Sequence, residues 1–131
     1  MLAPLAASAC SGTHAADSRG ATVVRVTERD FRIHLPTRIP AGDARLLVEN
    51  HGPDQHELIV VRASGGELPL RSDAATVDEE GLDPVTVGVL EAGAVGSVRE
   101  LDLRLGPGRY EVFCNMAGHY LGGMRAFFVV T

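Results

Sequence analysis

The chain has 131 residues, of which 45% are apolar and 22% are charged. This length and composition suit one globular domain with a hydrophobic core, which excludes an intrinsically disordered protein. The net charge is −5 and there is no basic tract, so no row of cations is present to neutralise a phosphate backbone, and we expect no nucleic-acid partner. The two cysteines, Cys10 and Cys114, lie in such different contexts that we expect no disulfide between them.

The first 20 residues differ in composition from the rest of the chain. Residues 2–9 are apolar and end in small residues, but they are far fewer than the roughly 18 that a membrane span requires. The small residues before Cys10 resemble the lipobox of bacterial lipoproteins, in which that cysteine is lipidated. A plain signal peptide or an uninformative leader is the alternative.

We therefore predict a lipoprotein-like export leader and flexible tether over residues 1–20, with the true start of the signal upstream, followed by one domain over residues 21–131. Export would place the domain outside the cytoplasm, in the periplasm or at the cell surface, with a membrane tether through lipidated Cys10.

From Ala21 onward, short runs rich in valine, leucine, isoleucine and phenylalanine alternate with turn residues. The runs cover residues 21–28, 30–35, 44–50, 56–61, 85–90, 98–105, 109–114 and 124–130. This spacing predicts an all-β Greek-key sandwich or barrel of about seven to eight strands. Residues 63–84 form a long excursion, in which Ser72 or Asp73 is expected to cap a short helical turn that Gly81 ends.

The segment "YEVFCNMAGHYLGGM" brings three metal-binding side chains into one short run. Cys114 ends a predicted strand, and His119 and Met124 follow on a glycine-containing loop. Thiolate and thioether favour Cu(I), and imidazole also accommodates Cu(II), so this combination favours copper. A blue-copper electron-transfer site needs one more imidazole.

Four further histidines are candidates for that second imidazole. His14 lies in the predicted tether, and His34 lies within a strand-like run. His51 lies in a turn, where a histidine is more often solvated, whereas His56 opens a strand whose sheet can hold a ligand in place. We therefore select His56.

These residues resemble the cupredoxins, the small blue-copper proteins that include plastocyanin, azurin, auracyanin and rusticyanin. The resemblance covers nearly everything after Ala21. The stretch "DFRIHLPTRIPAGDARLLVENHGPDQHELIVV" is similar to the strands that lead to the family's first histidine, and "LGPGRYEVFCNMAGHYLGGM" is similar to its signature ending. The resemblance implies four ligands of one copper ion: His56, Cys114, His119 and Met124.

One position departs from the family pattern. Glu57 stands where plastocyanin and azurin have an asparagine that ties the two ligand loops together. The surroundings of the ligands, and with them the reduction potential, are therefore not carried over.

Other metal chemistries fit less well. Zinc is the main competing occupant, because one cysteine and two histidines bind it well, but a thioether contributes little to that ion. Multicopper oxidases connect their blue copper to a trinuclear cluster through histidines beside the cysteine, and here Phe113 and Asn115 occupy those places. A dinuclear centre would need a second cysteine near Cys114. With all strong positions filled, no site remains for a substrate, so we predict that the protein is not an enzyme.

The predicted function is one-electron transfer by a monomeric, mononuclear blue-copper protein with transient redox partner proteins. A copper-binding or copper-delivery protein without a role in electron transfer is the alternative. A structural domain with a residual site is a third possibility.

Overall fold

The computed structural model describes residues 20–131, and nine β-strands make up most of this region. The strands are β1 (Thr22–Arg29), β2 (Arg32–His34), β3 (Arg38–Ile39), β4 (Gly42–Asn50), β5 (His56–Arg62), β6 (Thr86–Gly93), β7 (Val98–Leu105), β8 (Gly108–Phe113) and β9 (Arg125–Val130). The predicted all-β fold is confirmed, with one strand more than expected. The predicted leader, including Cys10, lies outside the described residues but for Gly20.

The strands form two sheets that enclose the main core. Their orders are β2-β1-β4-β7 and β3-β9-β8-β5-β6. Along β1 and β4, buried and partly or fully exposed residues alternate, as expected for a sheet with one face on the core and the other in water. The core between the sheets contains aliphatic residues such as Leu46 and Val60, and it also contains Cys114 and Met124. Two of the predicted ligands are therefore core residues.

The central strands β5 and β8 are buried on both faces. A second cluster covers the outer face of their sheet. Its members are Ile59, Val61, Leu68, Val77, Leu82, Phe113 and Tyr120. Because the excursion between β5 and β6 supplies Leu68, Val77 and Leu82, that excursion is a second layer over the sheet.

The short helix of the excursion begins later than predicted. Helix α1 (Glu79–Leu82) has Asp78 as its N-cap, and the Asp78 carboxylate accepts the Gly81 N–H at 3.2 Å. Asp73 instead accepts the N–H groups of the two residues Ala75 and Thr76 in a local turn. The prediction of Ser72 or Asp73 as cap was therefore wrong, and Gly81 lies within the helix. No helix in the described part of the chain is long and apolar enough to cross a membrane.

Three strand ends meet at one end of the sandwich. Strand β8 ends at Phe113, immediately before Cys114, while β5 begins with His56 and β9 begins one residue after Met124. Strand β8 is antiparallel to both neighbours, with Phe113 opposite Ile59 in β5 and opposite Arg125 in β9. The end of β8 therefore lies beside the beginnings of β5 and β9, so the sheet itself brings the predicted ligands together.

Candidate metal centre

The thiol of Cys114 lies between two imidazoles. Its Sγ is 3.9 Å from Nδ1 of His56 and 3.5 Å from Nδ1 of His119. All three atoms lie within 4.8 Å of one another, and all three residues are buried. Consider an ion about 2.3 Å from sulfur and about 2.0 Å from each nitrogen, with a sulfur–ion–nitrogen angle of about 110–120°. The distance from the sulfur to each nitrogen would then be roughly 3.5–3.7 Å. The 3.5 Å distance lies in this range and the 3.9 Å distance is slightly longer, so a small movement of the His56 ring would let the three donors share one ion.

Met124 closes the loop that carries these donors. Its N–H donates to the His119 carbonyl at 3.0 Å, and its own carbonyl accepts the Cys114 N–H at 3.1 Å. The side chain is fully buried and belongs to the same core cluster as Cys114. The backbone thus places Met124 beside the thiol, and its role as an axial ligand remains a prediction.

Neither His34 nor His51 lies beside the thiol. The His51 side chain is 43% exposed, and its Nε2 lies 3.1 Å from Oε2 of Glu49. His34 is exposed on β2, and His14 lies outside the described residues. Within residues 20–131, the structure therefore brings His56 and His119, and no other histidine, to Cys114.

The surroundings of the thiol include two backbone donors. Burial raises the pKa of the Cys114 thiol to about 11, while the N–H groups of Met116 and Glu57 oppose that shift. Burial also raises the pKa of Glu57, and the Asn115 N–H on its carboxylate has the opposite effect. Glu57, which stands where plastocyanin and azurin have an asparagine, therefore lies close to the segment that follows Cys114.

Each candidate histidine has a carboxylate near its outer nitrogen. Nε2 of His56 lies 3.1 Å from Oδ1 of Asp30, and Nε2 of His119 lies 3.7 Å from Oδ2 of Asp54. Burial lowers the pKa of His56, and the Gly52 carbonyl and these carboxylates oppose the shift. A neutral imidazole is the form that binds metals. Asp30 and Asp54 were not among the predicted site residues.

The loop between β4 and β5 is held by a buried asparagine. Asn50 Nδ2 donates to the carbonyls of Gly93 and Asp54, each at 3.0 Å, and Asn50 Oδ1 accepts the Gly52 N–H at 2.7 Å. The Gly52 carbonyl in turn accepts the Asp30 N–H at 3.0 Å. These bonds fix the β1–β2 turn, which carries Asp30, against the loop that leads into His56.

The excursion between β5 and β6 supports the other ligand loop. The Asn115 side chain accepts the Val77 N–H at 2.6 Å and donates to the Val77 carbonyl at 3.1 Å and to Glu79 at 2.6 Å. The Gly118 N–H donates to the Ala75 carbonyl at 3.0 Å. Since Asn115 follows Cys114 and Gly118 precedes His119, these bonds restrain both ligands.

A buried ion pair lies behind His56. Arg99 donates to the His56 carbonyl at 3.0 Å and to Oε2 of Glu28 at 3.2 Å. Burial raises the pKa of Glu28 to about 7, and Arg99 acts in the opposite direction. The guanidinium lies so close to Gly93 that a Cβ at that position would collide with it. Gly93 is therefore required for the approach of Arg99.

An aromatic side chain lies beside the His119 ring. His119 is 8% exposed, and the Phe31 ring meets its ring edge-on with a centroid distance of 5.4 Å. Phe31 is 44% exposed, and Leu121, two residues beyond His119, is 55% exposed. An exposed aromatic ring thus contacts a candidate ligand, and an exposed leucine follows that ligand in the same loop.

The two-sheet sandwich is the cupredoxin fold, and the three donors lie at one end of it. Reduced auracyanin from Roseiflexus castenholzii superposes with a TM-score of 0.63 at 21% identity, covering 86% of this chain and 99% of that one. Auracyanin A, described as a "blue" copper protein from Chloroflexus aurantiacus, gives 0.63 at 20% identity, covering 86% of this chain and 100% of its own. Rusticyanin from Thiobacillus ferrooxidans gives 0.61 at 16% identity, covering 86% and 79%. No family model and no curated protein matches the sequence.

Proposed function

We propose that this protein is a mononuclear blue-copper electron carrier, with copper held by His56, Cys114, His119 and the axial Met124. The observation that supports it best is the placement of the Cys114 sulfur 3.9 Å and 3.5 Å from the Nδ1 atoms of the two histidines. One thiolate, two imidazoles and a weak thioether form the donor set typical of blue-copper sites. Copper held there would carry one electron by alternating between Cu(I) and Cu(II).

The protein fold restrains the positions of the donor side chains. His56 begins a strand, Cys114 follows one, and the hydrogen bonds of Asn50 and Asn115 restrain both ligand loops. A donor set that keeps nearly one arrangement in both oxidation states needs little reorganisation when an electron arrives or leaves. Buried donors also leave no open position for a substrate, which supports a carrier without enzymatic activity.

The edge of His119 is the proposed path for electrons. It is the part of the ligand set that reaches the surface, and Phe31 and Leu121 offer apolar contact to a partner there. Weak redox encounters bury little surface, so a small apolar patch of this kind suits a partner that must leave quickly. We propose that the chain acts as a monomer with transient redox partner proteins.

The spectrum of the copper-loaded protein tests this function. Adding one equivalent of Cu(II) should produce an intense visible thiolate-to-copper charge-transfer band and the paramagnetic-resonance signal of a thiolate-bound site. Cys114→Ser should lose the band, because its hydroxyl cannot supply the thiolate. A wild-type complex that stays colourless would refute the blue-copper assignment.

Copper delivery is the second candidate, and it differs from electron transfer in two measurable quantities. A delivery protein would bind Cu(I) far more tightly than Cu(II) and would exchange electrons slowly between its own molecules. The restrained donors described above favour an electron carrier, for which we expect fast electron self-exchange. A copper-loaded protein with slow self-exchange that passes Cu(I) to a chelator would favour delivery. A domain with only a residual site would bind no stoichiometric copper.

We also propose that the protein is exported and tethered to a membrane through lipidated Cys10. The support is the run of small residues before Cys10 and the polar segment after it. Expressed in a bacterium with its export signal, the protein should be found in the membrane fraction, and Cys10→Ala should release it. A wild-type protein found entirely in the soluble fraction would contradict the tether.

A further inference from the structure

We propose that Asp30 positions His56 and, with a weaker contribution from Asp54, lowers the reduction potential of the copper centre. This inference depends on the proposed function, because it assigns a role to groups beside its ligands. Both carboxylates lie at the outer nitrogens of the histidines, on the side away from Cys114. Neither residue is one of the four proposed ligands.

The contact between Asp30 and His56 is the stronger of the two. A histidine that binds metal through Nδ1 carries its proton on Nε2, and metal-binding histidines commonly direct that N–H at a carboxylate or a carbonyl. Nε2 of His56 is buried and lies 3.1 Å from Oδ1 of Asp30. Within residues 20–131 neither atom has a hydrogen bond of good geometry, to each other or to any other group, so the 3.1 Å approach is a charge contact that a small ring rotation would convert into a hydrogen bond. The carboxylate is therefore the charged group best placed to orient this ring.

The position of Asp30 is fixed by the backbone. Asp30 and Phe31 form the turn between β1 and β2, where Arg29 pairs with Arg32. The Asp30 N–H donates to the Gly52 carbonyl at 3.0 Å, which fixes the turn against the loop that leads into His56. Because the turn is fixed, Asp30 keeps its position and can restrain the orientation of the imidazole.

The contact between Asp54 and His119 is longer than that between Asp30 and His56, and it is more exposed to solvent. Oδ2 of Asp54 lies 3.7 Å from Nε2 of His119, and the Asp54 side chain is 58% exposed. Oxygens of Asp30 and Asp54 lie within 4.8 Å of a ring nitrogen of His119 and of each other. Because water and salt screen an exposed charge much more than a buried one, Asp54 should have the smaller effect.

A negative charge near the copper site stabilises Cu(II) relative to Cu(I). The nearest other buried carboxylate is offset, because Glu28 is paired with Arg99 at 3.2 Å. Asp30 has no cationic partner among the described ion pairs that involve it. Its carboxylate is therefore not offset locally, and its removal should favour Cu(I).

The test compares the reduction potentials of copper-loaded variants. Asp30→Asn keeps the size of the side chain and removes the charge, so we expect roughly a tenfold shift toward Cu(I), which corresponds to a rise of about 59 mV for a one-electron couple. The rise should persist at high salt, and Asp30→Glu should return the potential toward the wild-type value. Asp54→Asn should give a smaller rise that fades as salt is added.

Asp43→Asn is the matched control, because it removes the same charge from the opposite end of β4, roughly 20 Å from Asn50 along the strand. Its potential should equal that of the wild type. An Asp30→Asn protein that keeps both the blue band and the wild-type potential would refute this inference and leave the proposed function standing. An equal rise in Asp43→Asn would also refute it, since net charge alone would then explain the effect. A wild-type protein without the blue band would overturn the proposed function itself, and this inference with it.

Discussion

Replacing His56 with alanine should abolish the blue-copper spectrum, whereas His51→Ala should leave it unchanged. His56 Nδ1 faces the Cys114 sulfur in a buried site, while the His51 side chain is 43% exposed beside Glu49. Removal of a group that only orients a ligand weakens metal binding by roughly 10–100-fold, so the loss of a ligand should cost more than about 100-fold. Cu(II) titration followed by visible absorbance and paramagnetic resonance measures both quantities.

His51→Ala is a close control, since the two histidines lie in one short segment and the substitution is identical. Circular dichroism of the two metal-free variants would show whether each keeps the sandwich. If His51→Ala lost the band and His56→Ala kept it, the assignment of the second imidazole would be wrong. The ligand loop before β5 would then have to rearrange when copper binds.

Most strands could be predicted because each carries its own signal. The eight predicted runs correspond to β1, β2 and β4 through β9, with ends shifted by a few residues. Strand β3 was missed because it has two residues, Arg38 and Ile39, in a stretch between two prolines. Its only strand partner in the described sheets is the distant β9. Because β3 has two residues and pairs with a strand far away in sequence, it shows no alternation of apolar and polar residues from which a strand could be predicted.

The excursion between β5 and β6 was harder to predict, because several of its polar residues can cap a helix. Asp73 and Asp78 both precede short runs that could form a helical turn. In the structure Asp78 caps the helix, and an antiparallel β-bridge joins Leu70 and Val77 just before it. Burial of Val77 and Leu82 against the sheet selects between the two caps. That choice depends on contacts far away in sequence.

The donors of the candidate site could be predicted, but their surroundings could not. Cys114, His119 and Met124 are close in sequence, so chemistry and spacing identify them together. Asp30 reaches His56 only because the Gly52 carbonyl binds the β1–β2 turn. A lone aspartate in a two-residue turn resembles an ordinary turn residue, and no sequence pattern distinguishes it.

The contacts of Glu57 also could not be predicted from the sequence. Its side chain differs from the asparagine of plastocyanin and azurin, so the resemblance gave no expectation for its contacts. The backbone N–H of Glu57 nevertheless favours the thiolate of Cys114, and that contact does not depend on the side chain. Backbone groups keep their positions when the strand is kept, which explains why a substitution here is compatible with an intact ligand cluster.

Replacing Met124 with glutamine should preserve copper binding and lower the reduction potential. The thioether of methionine is soft and uncharged and supports Cu(I), whereas an amide oxygen is harder and stabilises Cu(II). Met124 is fully buried beside Cys114, and glutamine has a similar length, so the two histidines and the cysteine should still hold the metal. We expect at least about a tenfold shift toward Cu(II), a decrease of about 59 mV or more, measured by spectroelectrochemical titration.

Met116→Gln provides the matched control within the same ligand loop. Met116 is only partly buried and packs against the edge of the core, while its backbone N–H favours the Cys114 thiolate, a group that the substitution does not remove. Its potential should therefore change much less than that of Met124→Gln. An unchanged potential and spectrum in Met124→Gln would make Met124 a packing residue and not a ligand. A decrease confined to Met116→Gln would move the axial position to Met116, because a soft thioether lowers the preference for Cu(II) only where it reaches the metal.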